Sequence, residues 1–221
     1  MNVERLPLAE RAAWHAALAD VARLAIVDHL ALGDRSPSEL QALIGLRSNL
    51  LAHHLKVLEQ AGVVVRRRSE GDRRRTYLTL APVDIPSADV AVHVNRVVFV
   101  CSANSARSQL AAALWTKRST VRATSAGTHP ADRIAAGALA VAERRSLPLL
   151  SVAPQPLTQV EQADDFVIAV CDNAYEELGA AVSLHWSIPD PVARGGADAF
   201  EATCAELDRR IATLAPRLIA S

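Results

Sequence analysis

The hydrophobic pattern of this chain changes character once, across residues 82–95, PVDIPSADVAVHVN. That segment holds two prolines and no helical period, so it reads as a linker. Helices and a single hairpin precede it; strands alternating with helices follow. Two domains are therefore expected, residues 1–81 and 96–221, in a chain of 221 residues that is long enough to give each its own core.

The first half begins with AERAAWHAALADVARLAIVDHLAL, an Ala- and Leu-rich stretch with apolar residues at helical spacing, broken by Gly33 and Asp34. Ser36-Pro37-Ser38-Glu39 is a helix start, with a capping hydroxyl, a first-turn proline and an early acid. That helix ends at Gly45, and SNLLAHHLKVLEQAG is the next, stopped by Gly62. VVVRRR and RTYLTL are two strands joined by a turn with Gly71-Asp72 near its tip. Helix, turn, helix and hairpin make a winged helix-turn-helix, mainly α with one β-hairpin.

The net charge of the whole chain is zero, so any affinity for a polyanion must come from a local patch. Such a patch exists. Between Arg47 and Thr76 stand Arg47, Lys56, Arg66, Arg67, Arg68, Arg73, Arg74 and Arg75 against only Glu59, Glu70 and Asp72. A winged helix touches duplex DNA at these places, with one helix in the major groove and the wing along phosphates. Ser48, Asn49, His53, His54 and Lys56 are read as the DNA-facing side of the helix, and Arg66, Arg68, Arg73, Arg74 and Arg75 as the wing contacts.

In the second half, VVFVC is a strand, and QLAAALWTKR is a helix. VRATSAG, AAGALAVAERRS, DDFVIAVC and ELDRRIATLAPRL continue the alternation, which argues an α/β domain with a parallel sheet. Between the first strand and its helix lies CSANSARS. A loop at that place turns backbone N–H groups inward beside the positive end of the helix, which suits a tetrahedral oxyanion. In this reading Cys101 is the nucleophile and Ser102, Ala103, Asn104, Ser105 and Ala106 form the cradle. Arg107 offers a planar fork to two anion oxygens. The positive surroundings favour a thiolate at Cys101, and Ser108 donates a hydrogen bond to it. Asn104 suits a backbone conformation that most residues resist. Asp190, between Pro189 and Pro191, is the candidate general acid for the leaving group.

Two resemblances add to this reading. ELQALIGLRSNLLAHHLKVLEQAGVVVRRRSEGDRRRTYLTL resembles the DNA-binding domain of the ArsR family of bacterial repressors, chiefly through HHLKVLEQAGVV and the arginine-rich wing ending in Tyr77. The resemblance implies a homodimer on palindromic operator DNA. SELQALI carries no cysteine, so the thiolate metalloid site of many arsenite sensors is absent, and no metal site is expected. VVFVCSANSARSQ, TSAGT, VIAVC and HWSIPDP together resemble the low-molecular-weight protein tyrosine phosphatase fold over residues 96–217, and in particular its thiol-dependent arsenate reductases. That resemblance implies Cys101 as nucleophile, Arg107 as oxyanion clamp, Ser108 as thiolate partner, Asp190 as general acid and Cys171 as a possible resolving thiol. Two positions depart from the pattern: Ala103 stands where the family usually has glycine, and Leu178 stands where a third cysteine of the reductase cascade is expected. Val192 follows Asp190-Pro191, and THPADRIAAG has no aromatic residue, which favours arsenate, phosphate or a similar small oxyanion over an aryl phosphate.

The start of the chain has charges throughout, and no apolar run is long enough to span a bilayer. Three scattered cysteines do not make a secreted disulfide framework, so a reducing cytoplasm is expected. No bound cofactor is expected, and the resemblance to arsenate reductases, with Leu178 in place of their third cysteine, implies an external thiol or redox protein as reductant. Three functions compete: a bifunctional arsenic-responsive regulator with an arsenate reductase-like domain, a non-catalytic regulator whose phosphatase-like domain senses an oxyanion or metalloid, and a protein tyrosine phosphatase fused to a DNA-binding domain.

Overall fold

The structure, a computed structural model, describes residues 7–81 and 91–221. The linker reading over residues 82–90 lies outside the described residues. Apart from the hairpin tip at residues 70–72, the described chain forms one compact unit up to Ala81 and a second from Ala91 onward.

The first unit opens with α1 (Leu8–Leu18) and α2 (Val21–Leu32), where the sequence pattern suggested one uninterrupted helical stretch. Asp20 makes the break: its carboxylate accepts from the backbone N–H of Arg23 at 3.0 Å and starts a new helix. Arg23 Nε also donates to the carbonyl of Ala17, at the end of α1. α3 (Pro37–Ile44) carries the expected capping box, with the Ser36 hydroxyl and Glu39 carboxylate exchanging bonds with each other's backbone. It ends at Gly45, whose φ of 73° lies in the left-handed region that closes a helix and favours glycine. α4 (Ser48–Gln60) follows. Then β1 (Val64–Arg68) and β2 (Thr76–Leu80) pair antiparallel with Val64 opposite Leu80 and Arg68 opposite Thr76. Arg35 exchanges two backbone hydrogen bonds with Leu78 and adds a short third strand to the wing. Ile26, Leu30, Leu40, Leu51, Leu55, Leu58, Val63 and Leu78 fill the core of this unit.

The second unit begins earlier than the sequence suggested. Residues within the expected linker form β3 (Val92–Val94). The unit continues with β4 (Arg96–Cys101), α5 (Arg107–Thr116), β5 (Arg122–Gly127), α6 (Ala136–Arg144), α7 (Leu157–Val160), β6 (Asp165–Ala169), α8 (Asp172–Leu178), β7 (Leu184–His185), α9 (Pro191–Arg194), α10 (Ala197–Leu214) and β8 (Leu218–Ala220). β3 pairs in parallel with β8, Val92 opposite Leu218. The closing helix, read as running to Leu218, ends at Leu214; Ala215–Arg217 form a 3-10 turn, and Leu218 opens β8.

The main sheet is parallel, in the order β5-β4-β6-β7. β4 is the first of these four strands in sequence, and its two neighbours are the next two. The chain thus leaves β4 toward opposite sides, which opens a crevice at the carboxyl end of β4. Phe99 on β4 packs against Trp115 and Trp186, with ring centroids 5.8 and 6.0 Å apart, and all three rings are buried. α10 packs against α5 and α6, and α8 against β4 and β6. Among the described residues no helix is long and apolar enough to cross a membrane.

Candidate oxyanion site and nucleic-acid surface

Cys101 is the last residue of β4, at the switch point of the sheet. The next five residues arch over to α5. Their carbonyls turn outward: Ser102, Ala103 and Ser105 accept from the backbone N–H groups of His129, Ala131 and Ala135. Among the described residues, no protein acceptor receives the backbone N–H groups of Ser102 through Ala106. The first N–H groups of α5 add to this set, since a helix start leaves its own donors unpaired. These inward donors and the positive helix end make an anion cradle.

Asn104 holds the arch. Its φ of 48° is left-handed, and its side chain is fully buried. All four of its side-chain bonds are used. Nδ2 donates to Ser108 Oγ at 2.8 Å and to Ser125 Oγ at 3.0 Å, while Oδ1 accepts from Gln109 Nε2 at 3.1 Å and the Gln155 backbone N–H at 2.9 Å. Ser108 Oγ accepts a hydrogen bond from Asn104, which leaves its own hydroxyl proton free to donate to Cys101 Sγ, 3.0 Å away. Beneath the arch, a Cβ on Gly127 would lie 2.6 Å from the Ser102 carbonyl oxygen and 3.1 Å from Asn104, so this position admits only glycine without a shift of the loop. Gln109, Ser125, Gly127 and Gln155 went unassigned in sequence. TSAGT contains two of them, but their role depends on a neighbour more than twenty positions away.

Arg107 is buried, with Nη1 donating to the Ile188 carbonyl at 2.9 Å and Nη2 3.2 Å from Asp190 Oδ2. Burial would lower its pKa, but the charges of Cys171, Cys101 and Asp190 outweigh it and hold the guanidinium above its ordinary value. Asp190 caps α9 through a 3.0 Å bond from the Val192 N–H. Cys171 caps α8, and its sulfur lies 3.6 Å from Ser102 Oγ in the arch. Burial, and then the charge of Cys101, push the Cys171 thiol up. Burial also pushes up Cys204, which lies away on α10. The structure thus brings Cys101, Arg107, Ser108, Asp190 and Cys171 together. Beside Ser105 runs an open groove of about 430 Å³ lined by Ala131, Asp132, Arg133, Ala135 and Val192.

In the first unit, Ser48, Asn49, His53, Lys56, Arg66, Arg68, Arg73, Arg74 and Arg75 are exposed. Arg66 is engaged by Glu59 on α4 at 2.9 Å. His54 departs from the expected DNA-facing set. It shares the buried face of α4 with Leu51, Leu55 and Leu58, and its Nδ1 lies 3.6 Å from Asp20 Oδ1 at the start of α2. Helical phase explains this: residues 51, 54, 55 and 58 fall on one side.

The family profile described as low molecular weight phosphotyrosine protein phosphatase matches residues 96–221, more than half of the sequence. The chain belongs to the low molecular weight phosphotyrosine protein phosphatase family. A helix-turn-helix domain profile matches residues 18–67, in accord with the ArsR-type winged fold of the first unit. Similar solved structures include an arsenate reductase from Archaeoglobus fulgidus, 25% identical, covering 54% of this chain and 98% of its own, with a TM-score of 0.46. The arginine phosphatase YwlE from Geobacillus stearothermophilus is 22% identical, covering 55% of this chain and 90% of its own, with a TM-score of 0.48. A homodimeric winged helix-turn-helix DNA-binding domain from Mycobacterium bovis, described as a possible ArsR-family regulator, is 30% identical and covers 33% of this chain and 65% of its own, with a TM-score of 0.31. No curated protein is significantly similar in sequence. This member of the phosphatase family therefore carries its family domain behind a helix-turn-helix domain.

Proposed function

We propose that this protein is a DNA-binding regulator whose phosphatase-family domain performs thiolate chemistry on arsenate in a reducing cytoplasm. The observation that carries the proposal is the convergence of Cys101, Ser108, Arg107 and Asp190 around one cradle of inward N–H donors. Arsenate sits in the cradle with two oxygens on Arg107. The Cys101 thiolate, held by the Ser108 hydroxyl, adds to As(V), and one arsenate oxygen takes a proton from Asp190 and leaves as water. Cys171 then attacks the Cys101 sulfur as its thiol proton passes to an oxygen of the departing oxyanion. The S–As bond breaks toward arsenic, which departs as arsenite, and a Cys101–Cys171 disulfide holds the two oxidised sulfurs. An external dithiol, small or carried by a redox protein, reduces that disulfide. The nearness of Cys171 to the arch and the absence of aromatic side chains along the groove beside Ser105 support arsenate over an aryl phosphate.

A second reading has the same site hydrolyse a phosphate ester: Cys101 takes the phosphoryl group, Asp190 protonates the departing alcohol, and water releases phosphate. The family membership favours it. In either case the first unit binds duplex operator DNA as a homodimer. Support comes from the exposed arginines of the wing and from apolar side chains left in solvent on α1 and α2, Leu8, Val21 and Leu24. The test is steady-state turnover of purified protein with arsenate, a thiol and a redoxin system, beside p-nitrophenyl phosphate, with Cys101→Ser as control. Arsenite formation that requires Cys101 supports the first reading. Phosphate ester hydrolysis without arsenite formation replaces it with the second.

A further inference from the structure

Behind the site lies a buried histidine–aspartate pair that the chemistry above does not use. His185, on β7, and Asp172, in the first turn of α8, are 0% and 3% exposed. His185 Nε2 donates to Asp172 Oδ1 at 3.0 Å, and the ring of Tyr175 stacks flat on His185 with centroids 4.1 Å apart. The Ser187 hydroxyl also donates to Asp172. Burial would raise the Asp172 pKa, but the bonds from His185, the Glu70 backbone N–H and Ser187 oppose it, and the carboxyl stays below its ordinary value.

His185 and Ser187 belong to the segment His185-Trp186-Ser187-Ile188-Pro189-Asp190. Trp186 is sunk in the core, and its backbone N–H donates to the Ala169 carbonyl at 2.8 Å. The Ile188 carbonyl takes the Arg107 guanidinium, and Asp190 faces the other nitrogen of that guanidinium. Asp172 therefore clamps the segment at two points, three and five residues ahead of Asp190.

We propose that Asp172 is a positioning residue that, through His185 and Ser187, aims Asp190 at the leaving oxygen. The proposal rests on the reading of Cys101 as nucleophile and Asp190 as acid. A fixed carboxylate holds such a segment because it accepts His185 and Ser187 together with the Glu70 backbone N–H, 2.8 Å from Oδ2, and leaves none of these donors unpaired. Asn in its place replaces one of the two carboxylate oxygens, both of which accept hydrogen bonds, by an NH2 donor, so at least one bond is lost and the segment loosens.

The experiment compares phenyl phosphate, whose leaving group needs protonation, with p-nitrophenyl phosphate, whose leaving group needs it far less. Wild-type protein, Asp172→Asn, His185→Gln and Asp190→Ala are measured with the full chain. A general acid contributes roughly a hundredfold or more, so partial misalignment should cost about tenfold. Asp172→Asn is expected to lower kcat on phenyl phosphate about tenfold and on p-nitrophenyl phosphate less than about threefold, with inhibition by inorganic phosphate unchanged. His185→Gln, which keeps a donor near the Nε2 position, should restore most of the phenyl phosphate rate. A wild-type ratio between the two substrates in Asp172→Asn overturns the proposal. If Asp172→Asn does not fold, Ser187→Ala decides by the same ratio. If the wild type hydrolyses neither ester and forms no arsenite beyond what Cys101→Ser forms, the reading of the site fails and the positioning role falls with it; if only arsenite is formed, an Asp172→Asn rate of arsenite release equal to wild type sinks the positioning role alone, as does a Cys101-dependent ester rate with an unchanged ratio.

Discussion

The wing and the Cys101 arch both gather positive potential, and they do it in opposite ways. The wing leaves Arg68, Arg73, Arg74 and Arg75 exposed on a hairpin. The arch uses one buried guanidinium, a ring of backbone N–H groups and a helix start. Exposed guanidinium groups read a long polyanion by releasing its counterions, so their grip fades with salt. A rigid buried cradle reads the shape of one small tetrahedral anion, and salt screens it far less. The difference teaches which perturbations each half should feel.

The largest expected effect separates the two halves. Cys101→Ser should reduce turnover by at least about a thousandfold, because the nucleophile has no substitute. Operator binding by the reduced protein, followed by fluorescence anisotropy, should stay within about twofold. A parallel loss of DNA binding would break the comparison. Next, neutralising Arg73, Arg74 and Arg75 together should flatten the salt dependence of DNA binding by up to about three units and weaken binding to any duplex. Turnover at 0.1 M salt is expected to be unchanged. An unaltered salt slope would remove the wing from the interface.

Gly127→Ala should act more mildly and only on the second unit. Its Cβ would press on the Ser102 carbonyl, so a stability loss of about 1–3 kcal/mol is expected from chemical denaturation. Weaker protection of Cys101 by phosphate against alkylation should accompany it. Full protection would show that the arch tolerates displacement. The smallest effect divides two neighbours on α4. His54→Ala should lower the stability of the first unit by about 1 kcal/mol, while His53→Ala should leave stability unchanged and alter only DNA affinity. The reverse pattern would overturn the assignment of the buried histidine.

Much of this was legible because it depends on neighbours close in sequence. The capping box of Ser36 and Glu39, the stop at Gly45 and the strand–arch–helix around Cys101 are all local. The burial of His54 is local too, since it shares the 51, 54, 55, 58 phase of the helix with three leucines. The break before Asp20 was harder, since an Ala-rich stretch favours continuing and only the Asp20 cap and the Arg23 bond tip the balance. β3 and β8 are three residues each, from opposite ends of their unit, too short for a periodicity to register. The Asp172–His185 pair and the Asn104 network join residues far apart in sequence, and only the strand order of the sheet brings them together.

The central claim is that Cys101 and Cys171 act on one oxyanion, and a single-turnover measurement without external reductant addresses it directly. Fully reduced protein is mixed with excess arsenate, arsenite is counted, and thiols are mapped by mass spectrometry. The account predicts about one arsenite per chain, a Cys101–Cys171 disulfide and a still-free Cys204, with none of this in Cys101→Ser. Three intact thiols and no arsenite would contradict it.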